Sequence, residues 1–472
     1  MKNKAQFTTG PIARTLLLFS LPVLGSNILQ SLNASINSIW VGHFLGEAAL
    51  TATSNANIIL FFLLGVVFGV SMANTILVGQ AVGARDIAQA RRVVGTSTTF
   101  FVLLSVAASA FGYVFTPEIL LAMGTPADAA PFAIAYLRII FVALPFMYFY
   151  NFVMMTLRGA GDSRTPFWFM LLSVGLDVAL NPLLIFGAGP VPALGIAGSA
   201  LATLIAQSTS LVAMLALLRR RRHFLWLPRG ELSLLWPDLA ILRSLVVKGL
   251  PMGMQMVVIS SSALVMMSLV NRHGSQTTAA YGVASQLWTY VQMPALAVGA
   301  SVSSMVAQNV GAGLWHRVNN ITRTGLAFNL AMTGALVVLI YVFNRHALGL
   351  FLPGDGEAIE IAQHINAVVL WSFILFGFTI VLFGTVRATG AVMAPLVILF
   401  VSMWLVRLPF ASVLSGPFGA GAIWWSFPVG SVVSVTLATL YYLRGTWRAS
   451  HMLAAGSVPA AVPAGVRANP RS

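Results

Sequence analysis

The sequence predicts an all-α integral membrane protein with twelve transmembrane helices, arranged as two six-helix lobes that are related by a pseudo-two-fold axis along the membrane normal. Composition, the length of the apolar stretches and an internal repeat each lead to this fold class. Of the 472 residues, 58% are hydrophobic and 8% are charged. This leaves too little polar surface to cover a water-soluble globule of that size, so a lipid bilayer is the expected solvent.

The apolar stretches have the length of membrane-spanning helices. They run to about 20 residues or more, which is what a helix needs to cross a hydrocarbon core of roughly 30 Å. Transmembrane strands would be about half as long and would alternate apolar with polar residues, a pattern that this sequence does not show. Twelve spans are predicted, with centres near Gln30, Leu64, Leu104, Phe146, Leu176, Ala206, Ser260, Tyr290, Ala331, Phe373, Met403 and Val432.

The two halves of the chain are copies of one another. Residues 156–166 recur as residues 385–395, 229 positions later, with the same Thr, Arg, Gly and Pro. Gln-Ala-Val-Gly-Ala at 80–84 recurs as Gln-Asn-Val-Gly-Ala at 308–312. Six spans per copy is an even number, so both copies enter the membrane in the same direction. Internal repeats of this kind are typical of secondary transporters, whose substrate site lies between the repeats.

The basic residues predict the orientation. Of the 26 Lys and Arg residues, 22 fall at the chain ends and in the even-to-odd loops, and the others are Arg138, Arg272, Arg345 and Arg407. The positive-inside rule then places both termini in the cytoplasm, with the chain in the cell inner (plasma) membrane. Loops among anionic lipid headgroups also account for the net charge of +15, so membrane lipids rather than nucleic acid are the expected partners, and a monomer is expected.

Composition shifts divide the chain into five parts. A cytoplasmic N-terminus (1–13) precedes the N-lobe (14–218, spans 1–6), a cytoplasmic linker rich in Arg (219–243) leads to the C-lobe (244–448, spans 7–12), and a Pro- and Gly-rich tail (449–472) is predicted to be disordered. The chain has no cysteine, which excludes disulfides and thiol catalysis. No cofactor and no metal site are expected.

Asp177 is the one acidic residue predicted to lie inside a span. An ionised group at a helix centre costs roughly 2.5 to 3.5 kcal/mol on insertion scales, so its presence needs a reason. Asn181 shares its helix face, and Pro182 is predicted to kink the helix and act as a hinge. A carboxyl group surrounded by apolar groups holds a proton more readily than one in water, which suits a proton-coupling role. The alternative is a buried Asp that hydrogen-bonds neighbouring helices as structural glue.

Further polar residues predict a cavity in the N-lobe. The first span carries a polar stripe that includes Asn33 and Asn37, which is an improbable surface to face lipid. Thr203 and Gln207 stand four residues apart in the sixth span, and Tyr148 contributes a hydroxyl group from the fourth. These residues are the candidate contacts of a cation or substrate. Each alone could instead make an ordinary helix–helix hydrogen bond.

The C-lobe has no acidic residue in its spans, but Arg407 lies in the eleventh. Arg407 and Gln255 are its candidate substrate contacts. Three roles stay open for Arg407. It could snorkel towards the end of its helix, form a structural ion pair, or contact an anionic or carbonyl-bearing substrate.

Ordered segments along the chain resemble the multidrug and toxic compound extrusion (MATE) transporters. The resemblance runs from about residue 11 to residue 448 and rests on five segments. They read VGHFLG at 41–46, QAVGA at 80–84, LRGAGDSRTP at 157–166, NPLLIFG at 181–187 and GIAGSALAT at 195–203. The resemblance implies export of cationic and amphipathic compounds in exchange for protons or sodium ions.

The resemblance also implies coupling residues. The family pattern has an Asp in the first span and an Asn and an Asp four residues apart in the fifth; this sequence has Asn37, Asp177 and Asn181 there, and Thr203 matches the sixth-span Thr. The acids of the NorM-like branch in the seventh and tenth spans are missing, so the chain looks closer to the DinF-like, proton-coupled branch. We expect a proton-coupled efflux antiporter that uses Asp177 and works by alternating access.

Two other functions stay open. A sodium-coupled antiporter is one, and a flippase or exporter of an anionic or lipid-linked substrate that uses Arg407 is another. An intramembrane enzyme is not expected, because the seven His residues lie at loops or span ends and no paired carboxylates lie in the spans.

Overall fold

The computed structural model describes residues 7–45, 47–126, 128–187, 192–349 and 356–453, and the described chain is built from helices. Eleven of them are long and apolar enough to cross a membrane, and a helix pair bent by 47° completes a twelfth span. The predicted fold class is therefore confirmed. In the bent pair, the first helix ends at Val369 and the second begins at Ser372.

The N-lobe contains seven helices, six of which are spans. They are α1 (Ile12–Leu45), α2 (Glu47–Gly83), α3 (Ile87–Val114), the short α4 (Thr116–Ala122), α5 (Ala130–Gly159), α6 (Arg164–Phe186) and α7 (Ile196–Arg220). The described loops between them are short, so consecutive spans run antiparallel. Helix α4 lies outside the spans, at the end of the lobe where α3 finishes.

The C-lobe repeats this order. It contains α8 (Leu239–Asn271), α9 (Ser275–Gly311), α10 (Trp315–Val342), the short α11 (Asn344–Gly349), α12 (Glu357–Val369), α13 (Ser372–Arg387), α14 (Met393–Phe400), a π-helical turn (Val401–Arg407), α15 (Leu408–Phe418) and α16 (Ala420–Arg444). Helices α12 and α13 together form one span, as do α14, the π-helical turn and α15. The short α11 follows the third span of its lobe, just as α4 does in the N-lobe.

The linker and the tail differ from their predicted bounds. Helix α8 begins at Leu239 with Asp238 as its N-cap, inside the predicted linker, and the linker is fixed on α3 by a 2.6 Å ion pair between Arg91 and Glu231. The tail is predicted to be disordered from residue 449. In the structure, however, Met452 is 3% exposed and its carbonyl oxygen accepts a hydrogen bond from Ser244. Residues 454–472 lie outside the described residues.

The lobes meet at one end of the molecule, which we call the basic end: it holds the loops 84–86, 160–163, 221–238, 312–314 and 388–392. Helix α2 packs on α8 and α9 there, and α1 packs on α9. Residues of both lobes, such as Ile76 and Val306, share the largest apolar core. Dispersion contacts across this core hold together the two lobes, which correspond to the two copies of the sequence repeat.

A pair of equivalent contacts closes the basic end. Gln80 on α2 donates a 2.8 Å hydrogen bond to the carbonyl oxygen of Ala388 in the C-lobe, and Gln308 on α9 donates a 2.9 Å hydrogen bond to that of Gly159 in the N-lobe. A Cβ atom at Gly83 would overlap the carbonyl oxygen of Gln308, and one at Gly311 would overlap that of Gln80. We call Gln80, Gln308 and these two glycines the basic-end clasp. Only glycine allows the two helices to approach so closely.

Candidate functional site

Asp177 lies near the middle of α6 and is 2% exposed. Three side chains donate hydrogen bonds to its carboxylate. Asn33 and Asn37, one turn apart on α1, reach Oδ2 at 2.9 and 3.0 Å, and Thr203 on α7 reaches Oδ1 at 3.1 Å. Helices α1 and α7 both pack on α6, which explains how the polar stripe of the first span comes to face the carboxylate. No Lys or Arg pairs with it among the described residues.

Asn181 extends this network by one step. Its Nδ2 donates to Asn37 Oδ1 at 2.7 Å and to the carbonyl oxygen of Asp177 at 2.8 Å. The Oδ1 atoms of Asn33 and Asn181 are buried without a hydrogen-bond partner. Since an amide group carries both donors and an acceptor, rotation of the Asn33 amide would offer an acceptor to a protonated Asp177. The network can thus satisfy both the charged and the neutral carboxyl group.

The other predicted N-lobe residues have different surroundings. Gln207 has a buried Oε1 without a partner and makes no hydrogen bond with Asp177 in the described chain. Tyr148 donates its hydroxyl hydrogen to the carbonyl oxygen of Leu63 at 3.0 Å, so its contact fixes α5 to α2. The structure therefore shows a helix–helix contact for Tyr148, and its contact with a cation or substrate remains a prediction. Helix α6 continues through Pro182 to Phe186, and the hinge remains a prediction.

Sequence reasoning missed Tyr136. This residue of α5 is 9% exposed and lies close enough to Asp177 to interact with it electrostatically. Nothing in the sequence singled it out, because a Tyr near the start of an apolar span is typical of membrane interfaces. Only the packing of the helices brings it to the site.

Arg407 occupies a separate site in the C-lobe. Its guanidinium carbon lies 3.5 Å from the centroid of the Phe427 ring on α16, and its Nε is buried without a hydrogen-bond partner. A Cβ atom at Gly430 would lie 3.2 Å from Arg407 Cβ, so this glycine makes room for the side chain. The side chain ends on Phe427, seven residues inside α16, and does not snorkel to the end of the lobe. It also makes no ion pair among the described residues.

A cavity of about 200 Å³ adjoins Arg407. Its walls include aromatic side chains, among them Trp288 on α9, Phe373 on α13 and Phe427 on α16. Gln255, the other predicted C-lobe contact, does not line this cavity. It accepts a 3.1 Å hydrogen bond from Nη1 of Arg387, another buried arginine of the lobe. Gln255 and Arg407 therefore belong to different clusters of the lobe, and a substrate contact of Gln255 remains a prediction.

Asp177 and Arg407 stand at equivalent places in the two repeats. Arg164 begins α6 and Met393 begins α14, which is a shift of 229 positions. A π-helical turn adds one residue to an α-helix, and the turn at Val401–Arg407 does so here. After it the shift is 230 positions, which aligns residue 177 with residue 407. The repeat thus places a carboxylate in one lobe and a guanidinium group in the other.

Comparison with known proteins identifies the repeat as a family unit. The sequence profile described as MatE matches twice, at residues 22–183 and 251–413. These bounds are shifted by 229 positions at their starts and by 230 at their ends, in agreement with the extra residue of the π-helical turn.

Relatives match over nearly the whole chain. The "Probable multidrug resistance protein YoeA" of Bacillus subtilis is 38% identical over 431 residues, which is 91% of this chain and 93% of that protein. The "FAD transporter" of Shewanella oneidensis is 25% identical over 92% of this chain and 95% of that protein. A solved structure titled "Outward-facing conformation of a multidrug resistance MATE family transporter of the MOP superfamily" aligns with a TM-score of 0.87 and 19% identity, over 94% of this chain and 98% of its own. The chain belongs to the MatE (MATE) family of membrane transporters.

Proposed function

We propose that the protein is a secondary active multidrug efflux antiporter, which exports cationic and amphipathic compounds in exchange for protons by alternating access. The observation that carries the proposal is the isolated carboxylate of Asp177, which is buried among three neutral hydrogen-bond donors. The names of relatives such as YoeA, a probable multidrug resistance protein, support the substrate class. The basic end is proposed to face the cytoplasm.

The hydrogen bonds of Asp177 suit a proton cycle. When the carboxylate is ionised, Asn33, Asn37 and Thr203 all donate to it, and it attracts a cationic substrate. When it takes up a proton from the outside, it loses that attraction, and rotation of the Asn33 amide supplies an acceptor. Proton and cation therefore compete for one carboxylate, so that uptake of one favours release of the other.

The test is efflux from proteoliposomes. A fluorescent cationic dye is loaded, and its movement is compared under an imposed pH gradient and under a sodium gradient, for the wild type and for Asp177→Asn. Efflux driven by the pH gradient and lost in Asp177→Asn is expected. Efflux in Asp177→Asn at the wild-type rate would contradict the assignment of the coupling residue. Tyr148→Phe is the matched control, because it removes a buried polar group of the same lobe outside the network.

Sodium coupling is a second candidate, and one observation favours it. Three buried amide oxygens in the N-lobe have no hydrogen-bond partner, namely Asn33 Oδ1, Asn181 Oδ1 and Gln207 Oε1. Hard cations are bound by carboxylate and amide oxygens of this kind. Efflux driven by the sodium gradient in the same vesicles would select this candidate over proton coupling.

An anionic or lipid-linked substrate is the remaining candidate. Arg407 favours it, and it is supported by the name of one relative, an FAD transporter, because FAD is an anionic compound. Dye movement under neither gradient in the wild type would favour this candidate.

A further inference from the structure

Arg407 is a cation inside a membrane lobe, and no acidic side chain pairs with it among the described residues. The described acidic residues of the chain from Asp238 onwards are the N-cap of α8 and Glu357 and Glu360 in the first turn of α12, all at helix starts. An arginine at a helix centre costs roughly 2.5 to 3.5 kcal/mol on insertion scales. A residue with that cost is expected to have a function that a neutral residue cannot perform.

A structural role does not account for Arg407. Arg387 shows what such a role looks like in the same lobe, since its Nε donates to the carbonyl oxygen of Phe383 at 3.2 Å and its Nη1 donates to Gln255. The side chain of Arg407 makes no hydrogen bond in the described chain, and its Nε is buried without a partner there. Its contact with Phe427 is a cation–π contact, which leaves the edge of the guanidinium group free to bind an anion.

The cavity beside Arg407 has the composition of a site for an aromatic ligand. Trp288, Phe373 and Phe427 pack in one cluster, with ring centroids of Trp288 lying 5.6 and 5.1 Å from those of the other two. Ser431 and Gln292 add polar groups to the lining. A few polar groups set in apolar and aromatic walls are typical of small-molecule sites.

The backbone at Arg407 is unusual as well. The π-helical turn ends at this residue, inside an otherwise α-helical span. Such turns occur frequently at functional sites, where the extra residue changes the direction of a side chain. Without the additional residue, the position equivalent to Asp177 would be Val406, so the turn is what places a charge there.

We propose that this C-lobe cavity binds the carboxylate of an aromatic, amphipathic substrate, with Arg407 as its ion-pair partner. The proposal deepens the function proposed above and rests on it for the statement that the ligand is exported. Together with Asp177 in the N-lobe, Arg407 equips the transporter for zwitterions, which carry a cationic and an anionic group on one ring system.

The experiment uses two dyes that differ in one group, a rhodamine with a free carboxylate and the methyl ester of the same rhodamine. Their affinities for the purified full-length protein are measured by fluorescence polarisation, for the wild type, Arg407→Gln and Arg407→Lys. We expect Arg407→Gln to weaken binding of the free acid by about tenfold or more and to leave the ester within about twofold, since only the acid can make charge-assisted hydrogen bonds. Arg407→Lys should retain part of the affinity for the acid.

Two outcomes would overturn the proposal. The first is that the ratio of the affinity for the acid to the affinity for the ester is the same in the wild type and in Arg407→Gln. The second is that a correctly folded Arg407→Gln loses affinity for both dyes equally. Arg272→Gln is the matched control, because it removes an exposed arginine of the same lobe outside the cavity. Binding is measured without a gradient, so failure of proton-driven efflux of the ester by the wild type would count against the proposed function alone.

Discussion

The two lobes descend from one repeat, yet they are alike at the basic end and opposite in charge halfway along their spans. At the basic end, Gln80 and Gln308 make the same contact in both directions. Halfway along the equivalent spans, the N-lobe has Asp177 in a hydrogen-bond network and the C-lobe has Arg407 against an aromatic ring. The contacts that join the lobes stayed symmetric, while the positions proposed to contact ligands diverged.

This difference has a physical cause. The clasp consists of close backbone contacts between α2 and α9, in which Gly83 and Gly311 each lie against the other helix. A larger residue at either glycine would overlap a carbonyl oxygen on the other helix, so both copies need glycine at this position. Asp177 and Arg407 face the interiors of separate lobes, and each can change without a clash in the other copy.

The largest expected effect separates the two charges. Asp177→Asn should lower efflux driven by the pH gradient by about 100-fold or more for the acid and the ester alike, because the group proposed to carry the proton is gone. Arg407→Gln should spare the ester. Efflux rates in proteoliposomes with the two rhodamines check this. If Arg407→Gln abolished efflux of both dyes while it remained folded, the division of roles between the lobes would be wrong.

The next effect concerns the symmetry of the clasp. Removing one buried hydrogen bond costs about 1 kcal/mol, so Gln80→Ala and Gln308→Ala together should shift the equilibrium towards a state open at the basic end by about 30-fold. Each single variant should shift it equally, by about fivefold. Unequal single effects would break the symmetry.

This shift is measurable by spin labels, since the chain has no native cysteine. Arg164→Cys and Met393→Cys occupy equivalent, exposed positions at the basic end. The distance distribution between labels at these sites reports the populations. The same pair without the Gln variants is the control.

A smaller effect tests the amide at position 37. Asn37→Asp would place a second carboxylate in contact with Asp177, and like charges at this distance favour retention of a shared proton. The pH at which efflux is half-maximal should therefore rise by about one unit. A pH profile of dye efflux measures this change, with Asn27→Asp, on the same helix, as the control. A fall of the half-maximal pH would contradict the proposed sharing.

The smallest effect is expected at Tyr148. Tyr148→Phe removes its hydrogen bond to Leu63, which should lower the free energy of unfolding by about 1 kcal/mol and leave dye efflux unchanged. A thermal melt of the purified protein and the efflux assay measure the two quantities. If Tyr148→Phe lost efflux while its stability stayed normal, Tyr148 would be a contact of the cation or substrate.

Individual residues show how much of the candidate site can be predicted from the sequence. Asn33 and Asn37 are predicted to face the protein interior because they belong to a polar stripe on an apolar helix. Thr203 is predicted from its place in the sixth span. The structure brings all three into contact with the carboxylate of Asp177. For Tyr148 and Gln255 the structure shows hydrogen-bond partners that the sequence does not indicate. A polar side chain on a single span gives no indication of its rotation relative to distant helices, and both found partners outside the predicted sites.

The sequence by itself determined the solvent, the number of spans, the repeat and the single membrane carboxylate. These follow from composition and from periodicity along the chain, which are local properties. Only the tertiary structure decided that Gln80 and Gln308 join the lobes and that a π-helical turn aligns Arg407 with Asp177. It also decided that Arg407 faces a cavity and has no counter-ion among the residues that the structure describes. Those features depend on helix rotation and on contacts between residues far apart in the chain, and the free energy of packing, not local pattern, sets them.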